Sequence, residues 1–154
     1  MSDLVRSYDL NEAALGHLTS AVQLGFIIGT LVFAILTLAD RFSPSRVFLL
    51  AALAGALTNL GLTWDNNSMG SLLSFRFATG FFLAGIYPVG MKIASDWFRE
   101  GLGKSLGLLV GALVLGTAFP HLLKGYTGDW PWRGVVYVTS ACALAGGLLI
   151  FLMV

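Results

Sequence analysis

Charge is what this sequence has least of. Asp, Glu, Lys and Arg make up 11% of its 154 residues, against about 25% in a typical soluble domain. That is too little to clothe a surface facing water. A single cysteine, Cys142, excludes an intrachain disulfide and a cysteine-based metal cluster. It sits in an apolar run and reads as a small packing residue. A net charge of +1 excludes bulk attraction to nucleic acid. The apolar stretches lack the alternation of period two that a membrane β-barrel needs. The first fifteen residues are polar and acidic, not basic and then apolar, so no cleavable signal peptide is expected. Nothing resembles a nucleophile with its base, a metal cluster or a phosphate-binding glycine loop. An enzyme is disfavoured, and no cofactor is expected.

What is present is apolar. Hydrophobic residues make up 56% of the chain, mean hydropathy is +0.82, and 19 glycines are scattered through the apolar runs. Small residues of this kind let membrane helices approach closely. No charge occurs from Leu18 to Ala39, nor from Val47 to Trp64. About 20 apolar residues suffice to cross the hydrocarbon core. Five such spans are expected, at about residues 16–39, 47–64, 71–93, 105–123 and 134–154. Backbone groups in lipid must be satisfied within the segment, so all five are expected to be helical. The fold class is an all-α integral membrane protein in one transmembrane domain, with the lipid bilayer as its first partner.

Basic residues give the expected orientation. Arg41, Arg46, Lys92, Arg99 and Lys104 flank one side, and Arg6, Lys124 and Arg133 the other. The richer side is placed in the cytoplasm. The N-terminal tail, with Asp3, Asp9 and Glu12 against Arg6, then lies outside and the C-terminus inside. Trp64, Trp130 and Trp132 fall at outer ends and Trp97 at an inner end, all at interfaces, where an amphipathic ring prefers to sit. An external N-terminus with no helix before it, and Val154 ending an apolar run, lead to the expectation that both ends are cut.

Few residues within the spans carry chemistry. Arg76 lies several residues into the third span, where a guanidinium must snorkel, pair or face water. Arg76, Gly80, Tyr87 and Met91 recur at helical spacing and form a candidate cavity or coupling stripe, although ordinary packing gives the same pattern. Pro88 removes a backbone donor and collides with the carbonyl of Ala84, so a bend is expected there. Pro120 does the same to the fourth span. His121 beside it titrates near neutral pH and is a candidate proton site, against the plainer reading of a solvated outer-end histidine. Gly25 with Gly29, and Gly107 with Gly111, have the spacing of close helix packing. Lys92 is one turn from Asp96 and can pair with it.

The hairpin Leu38-Ala39-Asp40-Arg41-Phe42-Ser43-Pro44-Ser45-Arg46 carries the most specific pattern. It resembles the loop G-x-x-x-D-R-x-G-R-R between the second and third helices of the major facilitator superfamily. Leu36 and Ser43 stand where that motif has glycine. Pro44 and Ser45 replace the trailing basic pair, leaving Arg46 one position late. Arg76-x-x-x-Gly80 resembles the family's fourth-helix motif. Asp96-Trp97-Phe98-Arg99-Glu100 resembles its inner link, and Trp132-Arg133-Gly134 the opening of its sixth helix. The resemblance covers nearly the whole chain.

It implies a partial six-helix half-bundle, family helices two to six. The function implied is secondary transport of a small solute by alternating access, coupled to a proton or another ion, in a bacterial-type plasma membrane. Asp40, Arg41 and Arg46 would be gating residues and Arg76 a cavity or coupling residue. The wording around Gly85-Ile86-Tyr87-Pro88 is similar to transporters of small anions. The partners implied are the solute, together with the absent first helix and C-terminal half, or another copy of the chain. The alternative is a non-transporting helix-packing or regulatory membrane protein, or an inactive truncated remnant.

Overall fold

The computed structural model describes residues 4, 7, 8, 11, 13–98, 100–127 and 131–154. Arg6, Asp3, Asp9, Glu12, Arg99, Trp130 and the side chain of Lys124, all used above to orient the chain, lie outside what it describes. Among the described residues there are helices and turns and no strand. In chain order the helices are α1 (Ala13–Ile35), α2 (Leu38–Arg41), α3 (Pro44–Leu60), α4 (Met69–Leu83), α5 (Tyr87–Trp97), α6 (Leu102–Thr127) and α7 (Trp132–Met153).

Five helical stretches are long and apolar enough to cross a membrane: Ala13–Ile35, Pro44–Thr63, Met69–Trp97, Leu102–Leu122 and Trp132–Met153. The chain is an integral membrane protein. Each span begins two or three residues before the expected position. The first span stops at Ile35 rather than Ala39, since Thr37 takes a left-handed conformation and α2 starts afresh after it.

Packing is the inverse of a soluble core. Large side chains point outward: Ile35 and Leu152 are each 76% exposed. Small ones mediate contact, because between helices in lipid close van der Waals approach replaces the hydrophobic drive. The α1–α4 crossing shows this most clearly. A Cβ on Gly25 would overlap the carbonyl oxygen of Phe77, and one on Gly80 the carbonyl oxygen of Val22. A Cβ on Gly29 would come within 2.5 Å of the carbonyl oxygen of Phe81 and 2.9 Å of Ala84 Cβ. Only glycine permits this mutual approach. On the other side of the bundle α7 packs along α3, where Gly147 meets Ala52 and Asn59 Nδ2 donates to Ser140 Oγ at 3.0 Å. By contrast, none of the described side chains of α6 is buried. Gly107 and Gly111 meet nothing within 4 Å, so the packing expected of that pair has no partner among the described residues.

The end of the bundle opposite α2 is plugged. Leu4, Leu18, Leu62 and Leu72 form a buried cluster with Tyr8, Phe75 and Trp132 around it. The carbonyls left over at the end of α3 are satisfied by side chains, as a helix end requires. Asn67 Nδ2 donates to Gly61 O at 2.9 Å and to Trp64 O at 3.1 Å, and Tyr8 Oη donates to Leu62 O at 3.1 Å. Ser68 then caps α4, accepting from Ser71 N.

Candidate functional site

The hairpin between the first two spans is shaped by one residue in an unusual conformation. Thr37 has φ 48°, a region that a β-branched side chain adopts only at a cost of roughly 1–3 kcal/mol. Its carbonyl accepts from Asp40 N at 2.9 Å and Arg41 N at 3.0 Å, which closes the turn and fixes the aim of Asp40. The Asp40 carboxylate meets Lys92 of α5, with Nζ 2.8 Å from Oδ1. The same ammonium lies 3.8 Å from Asp96 Oδ2, one turn further along α5. One cation thus serves two carboxylates on different elements.

Arg41 and Arg46 are exposed, and neither forms an ion pair among the described residues. The missing basic pair of the motif has a structural explanation. Pro44 opens α3, where its fixed φ and absent donor cost nothing. Ser45 is buried and shares a hydrogen bond of 2.9 Å with Ser43. Above this cluster lies a cavity of about 250 Å³ lined by Thr30, Phe33, Thr37, Ala84, Pro88 and Val89, with Asp40 and Lys92 at its rim.

The third span is interrupted by a tighter turn at residues 84–86. Helix α4 ends at Leu83; Gly85 N and Ile86 N bond carbonyls only three residues back, at 3.0 and 3.1 Å, and α5 begins at Tyr87. Pro88 occupies the first turn of α5, where the lack of an N–H is harmless. The interruption divides the expected stripe: Arg76 and Gly80 belong to α4, Tyr87 and Met91 to α5, and both of the latter are half-buried.

Arg76 lies in the wedge between α1 and α3. Three residues on, Thr79 Oγ1 donates to Thr58 Oγ1 of α3 at 3.2 Å; four residues on, Gly80 meets Val22 of α1. Residues three and four apart share a helix face, so Arg76 projects between the two neighbours. One turn earlier Leu72 is fully buried in the apolar plug. Arg76 therefore sits immediately below that plug, half-buried, and its Nε is buried with no hydrogen-bond partner among the described residues.

The remaining candidates are apart from both clusters. Pro120 lies inside α6, which continues to Thr127, so that helix is not broken. His121 is exposed on the same helix. Several polar groups were not singled out from the sequence. Asn59 and Ser140 join α3 to α7, and Thr58 and Thr79 join α3 to α4. His17, Ser20 and Ser74 line a groove between α1 and α4, and Asp65 is the ion-pair partner of Arg133, itself noted from the sequence, at the plugged end. The available signal was a polar residue interrupting an apolar run. It marks Asn59 well and the hydroxyls poorly, since Ser and Thr often bond their own helix.

The sequence profile of the Major Facilitator Superfamily matches residues 1–154. The chain is similar to the bicyclomycin resistance protein homolog of Haemophilus influenzae, 25% identical over 154 residues, which cover 99% of this chain and 38% of that protein. It is 28% identical over 127 residues to the 4-hydroxybenzoate transporter PcaK of Pseudomonas aeruginosa, covering 76% of this chain and 28% of that one. It is 26% identical over 151 residues to a gallate transporter of Pseudomonas putida, covering 95% and 31%. The chain spans about a third of the length of these curated relatives. No solved structure matches it significantly.

Proposed function

The chain belongs to the Major Facilitator Superfamily, and from that premise we propose that it forms part of a secondary transporter that moves a small organic anion by alternating access. Arg76 carries the reading. A guanidinium several residues into a membrane span, with a buried and unpartnered Nε, is costly unless something polar meets it. A solute carboxylate in the wedge between α1 and α3 would supply that partner in bidentate form. Two relatives are named for 4-hydroxybenzoate and gallate, both carboxylates, and this agrees with a cation in the path.

Asp40, Arg41 and Arg46 act at the opposite end as gating residues. The two arginines, exposed and without ion pairs among the described residues, are available to further membrane helices of the carrier or to a second copy of the chain. Tyr87 and Met91 extend the path past the break. Transport is coupled to a proton or ion gradient, with His121 as a proton site. The hairpin faces the cytoplasm of a bacterial-type inner membrane, with the N-terminus outside.

The test is uptake of labelled 4-hydroxybenzoate into proteoliposomes under an imposed proton gradient, with the carrier that contains this chain and with the chain alone. Gradient-dependent accumulation by the carrier is expected. Absence of uptake for a panel of aromatic and small inorganic anions would favour the non-transporting reading.

A further inference from the structure

We infer that Lys92 is an exchange latch: its ammonium ties α5 to the hairpin through Asp40, and on release passes to Asp96 of its own helix, letting α5 swing about the Ala84–Ile86 turn. Three independent features of the fold lead there. The first is the break. At Gly85 and Ile86 the regular ladder gives way to bonds reaching three residues back, and this is where a helix bends at least cost.

The second is the void. Above the break α4 is locked to α1 through Gly25, Gly29 and Gly80. Below it α5 packs on α3 and α6 but is parted from α1 by the 250 Å³ cavity. Across that gap the Asp40–Lys92 pair, 2.8 Å long, holds the hairpin and α5 together at the rim.

The third is the second carboxylate. Asp96 stands at i+4 from Lys92, so it moves with α5 and remains within reach whatever the hairpin does. Opening therefore never leaves the ammonium without a counter-ion. The closed and open arrangements are kept close in free energy, as a two-state element requires. When Lys92 leaves, Asp40 becomes free for another cation. The inference depends on ion pairs and packing, not on the identity of any solute.

The test reads geometry without transport, so its failure would leave the transporter reading intact. Val89 lines the cavity and is only 2% exposed, so a cysteine there reports opening. In a Cys142→Ser background, Val89→Cys in lipid nanodiscs is labelled with a small hydrophilic methanethiosulfonate. Lys92→Met is expected to raise the labelling rate about fivefold, the change that loss of one ordinary exposed ion pair allows. Asp96→Asn is expected to slow it, because the ammonium loses its alternative and commits to Asp40. The exchange Asp40→Lys with Lys92→Asp is expected to restore slow labelling, which separates loss of the latch from misfolding. Labelling unmoved by Lys92→Met, or accelerated by Asp96→Asn, would overturn the proposal.

Discussion

At the scale of single residues, glycine and arginine do opposite work in this chain. Gly25, Gly29 and Gly80 are defined by what cannot be added to them, because a methyl at Gly80 would enter the carbonyl of Val22. We therefore expect Gly80→Ala to destabilise the bundle by about 1–3 kcal/mol, as overpacking does, and Gly107→Ala, whose Cβ would meet nothing within 4 Å, to be tolerated. Thermal unfolding of the two variants in detergent checks this. Asn59 makes a complementary case. Asn59→Ala removes the hydrogen bond to Ser140 between α3 and α7, and a loss of about 0.6–2 kcal/mol is expected in the same assay. Asp65→Asn acts on a pair exposed at the plugged end, so little change is expected.

At the scale of elements, the third span is the one whose form departs from a plain helix. Pro88 was expected to bend it; the chain ends one helix at Leu83 and starts another at Tyr87, with the proline in the new first turn. Pro88→Ala supplies the donor that the carbonyl of Ala84 lacks, so amide hydrogen exchange across 86–89 is expected to slow; unchanged exchange would mean that Gly85 and its neighbours impose the break without the proline. The five spans were legible because hydropathy alone encodes them. The break was half legible, since proline marks a discontinuity without saying on which side it falls. The Asp40–Lys92 contact joins residues far apart in sequence, and no local pattern announces it; only the Lys92–Asp96 spacing was visible beforehand. Likewise the spacing of Gly107 and Gly111 matches that of Gly25 and Gly29, yet only the latter pair finds a neighbour.

At the scale of the whole molecule, the bundle is tight at the Leu72 plug and along the α1–α4 crossing, and open at the cavity beneath Ala84. A carrier of this family alternates between such closures, so changes at the two ends should have different kinetic signatures. Asp40→Asn disturbs the hairpin latch and should lower turnover more than solute affinity; equal turnover with weaker binding would contradict a gating role. On the proposed reading Arg76 lies in the solute path itself. The most direct measurement is the initial rate of 4-hydroxybenzoate uptake into proteoliposomes by the carrier with Arg76, Arg76→Lys and Arg76→Ala. The account predicts that Arg76→Lys retains part of the activity at a raised KM, because the charge survives without the bidentate fork, and that Arg76→Ala abolishes uptake while the protein stays folded. Wild-type uptake by Arg76→Ala would remove this residue from the path and with it the central claim.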